Sequence, residues 1–245
     1  MQLSLLLLSS VAAATPLTAV DKRQTATLCE QYGYWSGNGY EVNNNNWGKD
    51  AGSGQQCTYV DNASSSGVTW HTTWNWSGGE NNVKSYANCG LQVPAGRLVS
   101  SINSMKTSVS WTLTNSNVRA DVAYDIFTAA DPNHDHSSGD YELMIWLARL
   151  GDVYPIGTSQ GNVNVAGQNW DLWVGNNGAM KVFSFIAGSP VNSFNADVKE
   201  FYTYLESSQG FPSSSQYLLT FQMGTEPFTG EQTTLTVNNY SVNLA

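Results

Sequence analysis

Charge is what this sequence has least of. Only 12% of its 245 residues are charged, and ten Lys and Arg face nineteen Asp and Glu, for a formal net charge of -9. With so few cations and no basic cluster, it lacks the electrostatic footprint on which nucleic-acid binding depends. Long apolar runs are also missing. The longest, residues 3–8 continuing through 11–14, has the length of a signal-peptide core and falls short of the ~18 residues that a membrane span needs. Nucleic acid and membrane are therefore excluded as partners. Ala12-Ala13-Ala14 supplies the small residues of a cleavage site, and Lys22-Arg23 a second, dibasic one. A signal peptide (1–14), a propeptide (15–23) and a secreted mature chain of a single domain (24–245) are expected. Cysteine is scarce as well, and three in an oxidising compartment leave one over. Cys29 and Cys57 are paired, tying down the N-terminal strand, and Cys89 is left as a buried, inert thiol.

Helical periodicity is nearly absent too. One segment, residues 196–207, places Val198, Phe201, Tyr202 and Leu205 on a single stripe, with Gly210 positioned to stop it. Everywhere else the period is two. Val68, Trp70, Thr72, Trp74 and Trp76 share one strand face, and no choice between core and cleft follows for the three Trp. Val163 and Val165 alternate before a turn at Ala166-Gly167-Gln168 that leads into residues 170–174. No linker or repeat interrupts the chain. The expected fold is all-β: two packed antiparallel sheets with one helix on one side. Aromatic residues make up 12%, as many as the charged ones, amid abundant Ser, Thr, Asn and Gly. Aromatic faces beside Asn and Gln are how proteins hold sugars, whose C–H faces stack while their hydroxyls hydrogen-bond.

Parity then separates the carboxylates from the core. In residues 141–148, Tyr141, Leu143, Ile145 and Leu147 point one way, and Glu142, Met144, Trp146 and Ala148 the other. In residues 217–226 the core set is Tyr217, Leu219, Phe221 and Met223, leaving Thr220, Gln222, Gly224 and Glu226 opposite. In residues 118–125, Val122 and Tyr124 point inward, with Arg119, Asp121, Ala123 and Asp125 outward. Three strands thus bring a carboxylate to a non-core face. Hydrolysing a glycosidic bond takes two such groups, one to protonate the leaving oxygen and one to attack the anomeric carbon or activate water.

Around these residues the sequence resembles the family 12 glycoside hydrolases, in particular their fungal endo-β-1,4-glucanases. The resemblance rests on Gly139-Asp140-Tyr141-Glu142-Leu143-Met144-Ile145-Trp146-Leu147, on Gly224-Thr225-Glu226-Pro227-Phe228-Thr229-Gly230 and on Val122-Ala123-Tyr124-Asp125. Asn45-Asn46-Trp47-Gly48, Trp74-Asn75-Trp76-Ser77-Gly78-Gly79 and Asn82-Val83-Lys84-Ser85-Tyr86 extend it. It implies a β-jelly-roll with a cleft along its concave sheet, and cleavage of internal β-glucan bonds with retention. It further implies Glu142 as nucleophile, Glu226 as general acid/base and Asp125 as the nucleophile's support. Trp47 and Asn45 would bind sugar, with Met144, Trp146 and Phe228 lining the cleft. The substrate is a β-glucan of cellulose or mixed-linkage type, with branched xyloglucan as the alternative within the family. No cofactor or metal is implied, and a monomer is expected. Cys89 lies outside the family's usual disulfide pair, and the Asn run 43–46 departs from its usual pattern.

Three rival patterns fail on context. Gly157-Thr158-Ser159-Gln160-Gly161 satisfies G-x-S-x-G, but alternating valines rather than a helix follow it, and His71, His134 and His136 all lie upstream. Asp131, Asn133, Asp135 and Glu142 occupy calcium-loop positions, but His136 stands where that loop needs Gly. A non-catalytic carbohydrate-binding jelly roll would account for the aromatics, yet gives no reason for Glu142 and Glu226 in these contexts.

Overall fold

The computed structural model describes residues 25–245, so the expected signal peptide, propeptide and Gln24 start lie outside the described residues. In chain order the strands are β1 (Ala26–Leu28), β2 (Tyr34–Gly37), β3 (Tyr40–Asn43), β4 (Ser53–Ser64), β5 (Gly67–Ser77), β6 (Ala87–Leu91), β7 (Met105–Leu113) and β8 (Arg119–Ala129). There follow β9 (Tyr141–Leu150), β10 (Thr158–Val165), β11 (Gln168–Asn177), β12 (Met180–Ala187), β13 (Ser193–Asp197), helix α1 (Lys199–Gln209), β14 (Tyr217–Leu218), β15 (Gln222–Thr225) and β16 (Pro227–Leu244).

They form two stacked sheets. One runs β1-β4-β5-β16-β7-β13, the other β10-β11-β12-β9-β8-β15-β6-β3-β2, with β14 beside β8. The long β16 belongs to both, pairing with β8 at Pro227 and Thr229 and with β5 and β7 further on. This is the two-sheet sandwich read from alternation and the jelly roll that the resemblance implied, with one departure: β12 runs parallel to β9. Alternation itself is plain in β5, where Val68, Trp70, Thr72, Trp74 and Trp76 are all buried and the residues between them are not. Trp70 enters the core between the sheets, while Trp74 and Trp76 pack with Val118 and Ala120 in a smaller cluster, so all three are structural.

Helix α1 buries the expected stripe, with Phe201 edge-on to Trp170 and Phe185 at 5.5 and 5.0 Å. Gly210 ends it with a left-handed φ of 69°. It starts later than periodicity suggests, at Lys199, because Ser193–Asp197 pairs with β7 as a strand. Asp197 Oδ1 then accepts the N–H groups of Met105 and Lys199 at 2.7 and 3.0 Å, which pins the corner. The turn after β10 is a two-residue one in which Ala166 (φ 51°) and Gly167 (φ 73°) are both left-handed, the geometry that suits strand twist. Cys29 and Cys57 form the expected disulfide, and Cys89 is free, buried in the core and pushed well above the usual thiol range by that burial.

Two parity assignments change. A bulge between Val122 and Ala123, opposite Ala148 and Trp146, leaves Leu147 as the extra residue, so Ala148 joins Leu147 in the core instead of facing the cleft. Residues 217–226 are not one strand but β14 and β15, separated at residues 219–221. The break puts Leu218 into the core and sends Leu219 to a separate cluster with Phe127, Ala129, Met180 and Val182. The G-x-S-x-G segment is the edge strand β10 with a bulge at Ser159 and Gly161, and a Cβ on Gly157 would lie 2.1 Å from the Val174 carbonyl oxygen. Close approach of two backbones explains that glycine.

Candidate active site

β8 is the axis of the site. Both its faces are covered, the core on one side and the carboxylates on the other, which is why Ala120 to Ala129 are all buried. Its neighbours β9 and β15 bring the two glutamates to either side of it. On β9, Glu142 stands opposite Phe127 and Met144 opposite Asp125. On the other flank Gln222 pairs with Asp125 and Gly224 with Ala123. Gly224 is needed there, since a Cβ would fall 2.1 Å from the Ala87 carbonyl oxygen of β6. Glu226 follows at the corner into β16, its N–H donating to Asp121 Oδ1 at 3.0 Å and its carbonyl accepting the Asp121 N–H at 3.2 Å.

These residues line a cavity of about 710 Å³ on the concave sheet, whose walls include Glu142, Glu226, Asp125, Asn45 and Trp47. Trp47 is 51% exposed, a large ring held open to solvent at the rim. The loop that presents it is not slack. Asn44 and Asn46 are buried; Asn44 Nδ2 donates to the Glu30 carbonyl at 2.9 Å, and Gln56 Nε2 donates to the Asn44 carbonyl at 2.7 Å and to Asn46 Oδ1 at 2.8 Å. Asn45 takes a left-handed φ of 42°, and its carbonyl accepts the Tyr86 N–H at 2.9 Å. The Asn run is thus an anchor that fixes the Trp47 loop. Glu41, Asn43, Tyr86, Asn88, Phe127 and Gln222 also face the cavity, as does His136 from the loop between β8 and β9. Sequence reasoning missed these, although Gln222 sits on the right parity.

Met144, Trp146 and Phe228 depart from expectation. They are 6%, 2% and 9% exposed and are not part of that wall. They pack together with Ala123, Val153 and Ile186, while Val83 and Trp173 lie against the outside of the cluster. Trp146 Nε1 is 3.5 Å from Met144 Sδ. Alternation sorted Met144 and Trp146 onto the face of Glu142 but could not show how deeply they are buried there. In the loop between β8 and β9, Asp131 Oδ1 and Asp135 Oδ1 accept N–H groups of Asn133 and Ser137, so these carboxylates shape turns. Among the described residues no three His, Cys, Asp or Glu are arranged to hold a metal ion.

Burial dominates the electrostatics. Glu142 is pushed up to about 7, first by burial and then by the Glu226 charge, against a hydrogen bond with Asp125 that lowers it. Glu226 is also pushed up to about 7 by burial, opposed by a hydrogen bond with Asp121. Asp125 and Asp121 are held well above the usual carboxylate range, again chiefly by burial and then by the charge of Glu142 and of Glu226 respectively. Four carboxyl groups therefore form two acid pairs, Asp125 with Glu142 and Asp121 with Glu226. The sequence pointed to three.

A stability prediction follows from these directions. A carboxyl raised in the folded state keeps its proton after the unfolded chain has lost its own, so stability falls as pH rises from about 4 through about 7, by roughly 1.4 kcal/mol per pH unit for each proton held. Asp140 runs the other way, lowered by the Ala130 N–H and by Gln216, and its contribution is lost below the unfolded carboxyl range. The protein should accordingly melt at a higher temperature near pH 5 than near pH 8. Calorimetry showing the reverse order would contradict the raised values.

Comparisons with known proteins give this geometry its family. The model described as glycosyl hydrolase family 12 matches residues 38–245. Endoglucanase A of Aspergillus kawachii is 53% identical over 222 residues, covering 89% of this chain and 92% of that protein. Xyloglucan-specific endo-beta-1,4-glucanase A of Emericella nidulans is 45% identical and covers all of both. The crystal structure of the catalytic domain of Humicola grisea Cel12A, in complex with a soaked thio cellotetraose, superposes with a TM-score of 0.88 at 53% identity, over 90% of this chain and 99% of that one. With a matching jelly roll and paired glutamates across its concave sheet, the chain belongs to glycosyl hydrolase family 12.

Proposed function

We propose that this endoglucanase is secreted, acts as a monomer without a cofactor, and cuts internal β-1,4-glucosidic bonds of cellulose-type and mixed-linkage β-glucans with retention of configuration. The observation that carries the proposal is the pair Glu142 and Glu226, both raised, brought to either side of β8 by β9 and by the corner after β15, in a cavity rimmed by exposed Trp47. Glu142 attacks the anomeric carbon while Glu226 passes its proton to the departing glycosidic oxygen. Water then attacks the glycosyl-enzyme ester, Glu226 takes the water's proton, and Glu142 leaves as a carboxylate. Such a pair works at a separation of about 5–5.5 Å. Esterification removes the Glu142 charge, so the Glu226 pKa falls and Glu226 stays ionised after giving up its proton, ready to take the proton of the attacking water. Asp125, protonated and hydrogen-bonded to Glu142, steadies the nucleophile. The disulfide Cys29–Cys57 accords with export to an oxidising compartment.

The test is product analysis on carboxymethylcellulose, mixed-linkage β-glucan and xyloglucan, with the first anomer read by NMR. The β anomer should appear first, and unbranched glucans should be cut fastest. An initial α anomer would refute double displacement. The 45% identity to a xyloglucan-specific relative keeps that polymer as the second reading, and faster cleavage of xyloglucan would select it.

Trp47→Ala should raise KM for cello-oligosaccharides about tenfold while kcat moves less, since stacking of this ring supplies about 0.5–1.5 kcal/mol beyond its buried area. Steady-state kinetics with an unmoved KM would remove Trp47 from the binding surface.

A further inference from the structure

Asp121 shares the outward face of β8 with Asp125, yet it is fully buried and lies behind the cavity wall rather than in it. It meets Glu226 three times: through its own N–H to the Glu226 carbonyl, through Oδ1 from the Glu226 N–H, and carboxyl to carboxyl. Its Oδ2 is closed to solvent and receives no N–H or hydroxyl donor. Among the described residues no Lys, Arg or His forms an ion pair with it. The titratable groups facing it are Glu226 at the β16 corner, Asp125 along β8 and Tyr86 from the segment before β6. Arg149, its partner in register on β9, turns its guanidinium over the Tyr154 ring at 4.9 Å. An uncompensated, unpaired carboxylate oxygen at such a place is costly, and a proton on it removes the cost by making it a donor.

We infer that Asp121 is a positioning residue for Glu226: it keeps a proton on Oδ2 through the catalytic cycle and donates it as a hydrogen bond to the Glu226 carboxyl group. That bond turns the proton-bearing oxygen of Glu226 toward the glycosidic oxygen and stabilises the carboxylate that remains after transfer. The proton delivered is Glu226's own; the attacking water restores it, and the Asp121 proton stays in place. The inference rests on the reading of Glu226 as the acid/base group.

Asp121→Ala and Asp121→Asn test it, through pH profiles of kcat/KM on a cello-oligosaccharide, kcat on an aryl cellobioside whose leaving group needs no proton, and melting temperature. Asp121→Ala should lower kcat about tenfold or more with little change in KM, move the alkaline limb upward, and lose less than about threefold on the activated glycoside. Asp121→Asn, with an amide N–H in place of the acid O–H, should recover most of that rate and bring the limb back. A limb that Asp121→Asn instead moves down by about a unit would mean that the residue carries charge in the working enzyme, overturning the inference. So would an Asp121→Ala variant with a lower melting temperature but wild-type kcat and limb. If Asp121→Ala does not fold, the limb of Asp121→Asn decides. Glu226→Gln assayed alongside separates the two levels: full activity there sinks the acid/base reading itself, whereas an inactive Glu226→Gln beside an unaffected Asp121→Ala sinks only the role of Asp121.

Discussion

Glu142→Gln should lower kcat on β-glucan by on the order of 10⁴-fold or more, because the amide cannot form the glycosyl ester through which the two-step route passes. Its fold should not suffer. Burial holds Glu142 up to about 7, so at neutral pH the native state bears the cost of a partly ionised buried carboxyl, and an amide of the same shape removes it. The melting temperature at pH 7 should be equal or higher. Glu226→Gln should lose about 10²–10⁴-fold on natural substrates and less on an activated aryl cellobioside, whose leaving group departs unaided. A further experiment separates the two roles, because the two glutamates are electrostatically alike, each raised by desolvation and each hydrogen-bonded to an aspartate. Azide added to Glu142→Ala should yield the α-glycosyl azide, since the anion enters from the face the nucleophile vacated. Added to Glu226→Ala it should yield the β product. Interchanged anomers would swap the two assignments, and wild-type turnover in both Gln variants would end the hydrolase reading of this site.

How much of this could be read from the chain depended on whether a strand has one buried face or two. β5 was legible because Val68, Trp70, Thr72, Trp74 and Trp76 alternate with partly exposed residues. β8 and β9 are buried on both faces, so parity could sort their residues but not rank the faces, and Trp146 was placed in the cleft wall although it is 2% exposed and packs in a cluster with Val153 and Ile186. Ala148 was misplaced by the bulge at Leu147, which no local pattern announces, and Leu219 by the break between β14 and β15. The helix start was lost for a related reason: residues 193–197 join a strand through a distant partner, β7, and long-range pairing overrides local period. Asp121 did leave a signal. It stood on the same parity as Asp125, and only the path of β15 to the corner at Glu226 shows why a second Asp is there. The burial of Asn44 and Asn46 was not legible in a run of four identical Asn, because their partners Glu30 and Gln56 come from other segments.

Lys84 was legible only as part of a motif, and replacing it should produce the largest loss of stability. It is fully buried, and Nζ donates to the carbonyls of Gly79, Asn82 and Phe228, each at 2.8 Å. Its backbone N–H donates to the Pro227 carbonyl at 3.0 Å, and its own carbonyl accepts the Gly48 N–H at 3.0 Å. One residue thus clamps the loop after β5, the turn behind Trp47 and the two residues that follow Glu226. Glu80 is turned toward Arg119, at 3.7 Å, so the ammonium relies on carbonyl dipoles. Burial draws its pKa down from the usual lysine range, with the Glu80 charge opposing. A Cβ on Gly52 would stand 2.5 Å from Lys84 Cε, so the channel is cut to the width of this side chain. Lys84→Met keeps the stem and strands three carbonyls. Each bond to a charged donor contributes about 1.5–3 kcal/mol, and relief from burying the ammonium returns part of the total, leaving a net loss of about 2–4 kcal/mol. For a domain of this size that lowers the melting temperature by roughly 5–15 °C. Because Pro227 and Phe228 are held by the same clamp, kcat should fall well below the melting range while Trp47-dependent KM moves less. A melting temperature within about 2 °C of wild type would show that the three carbonyls find other donors and that the clamp contributes little.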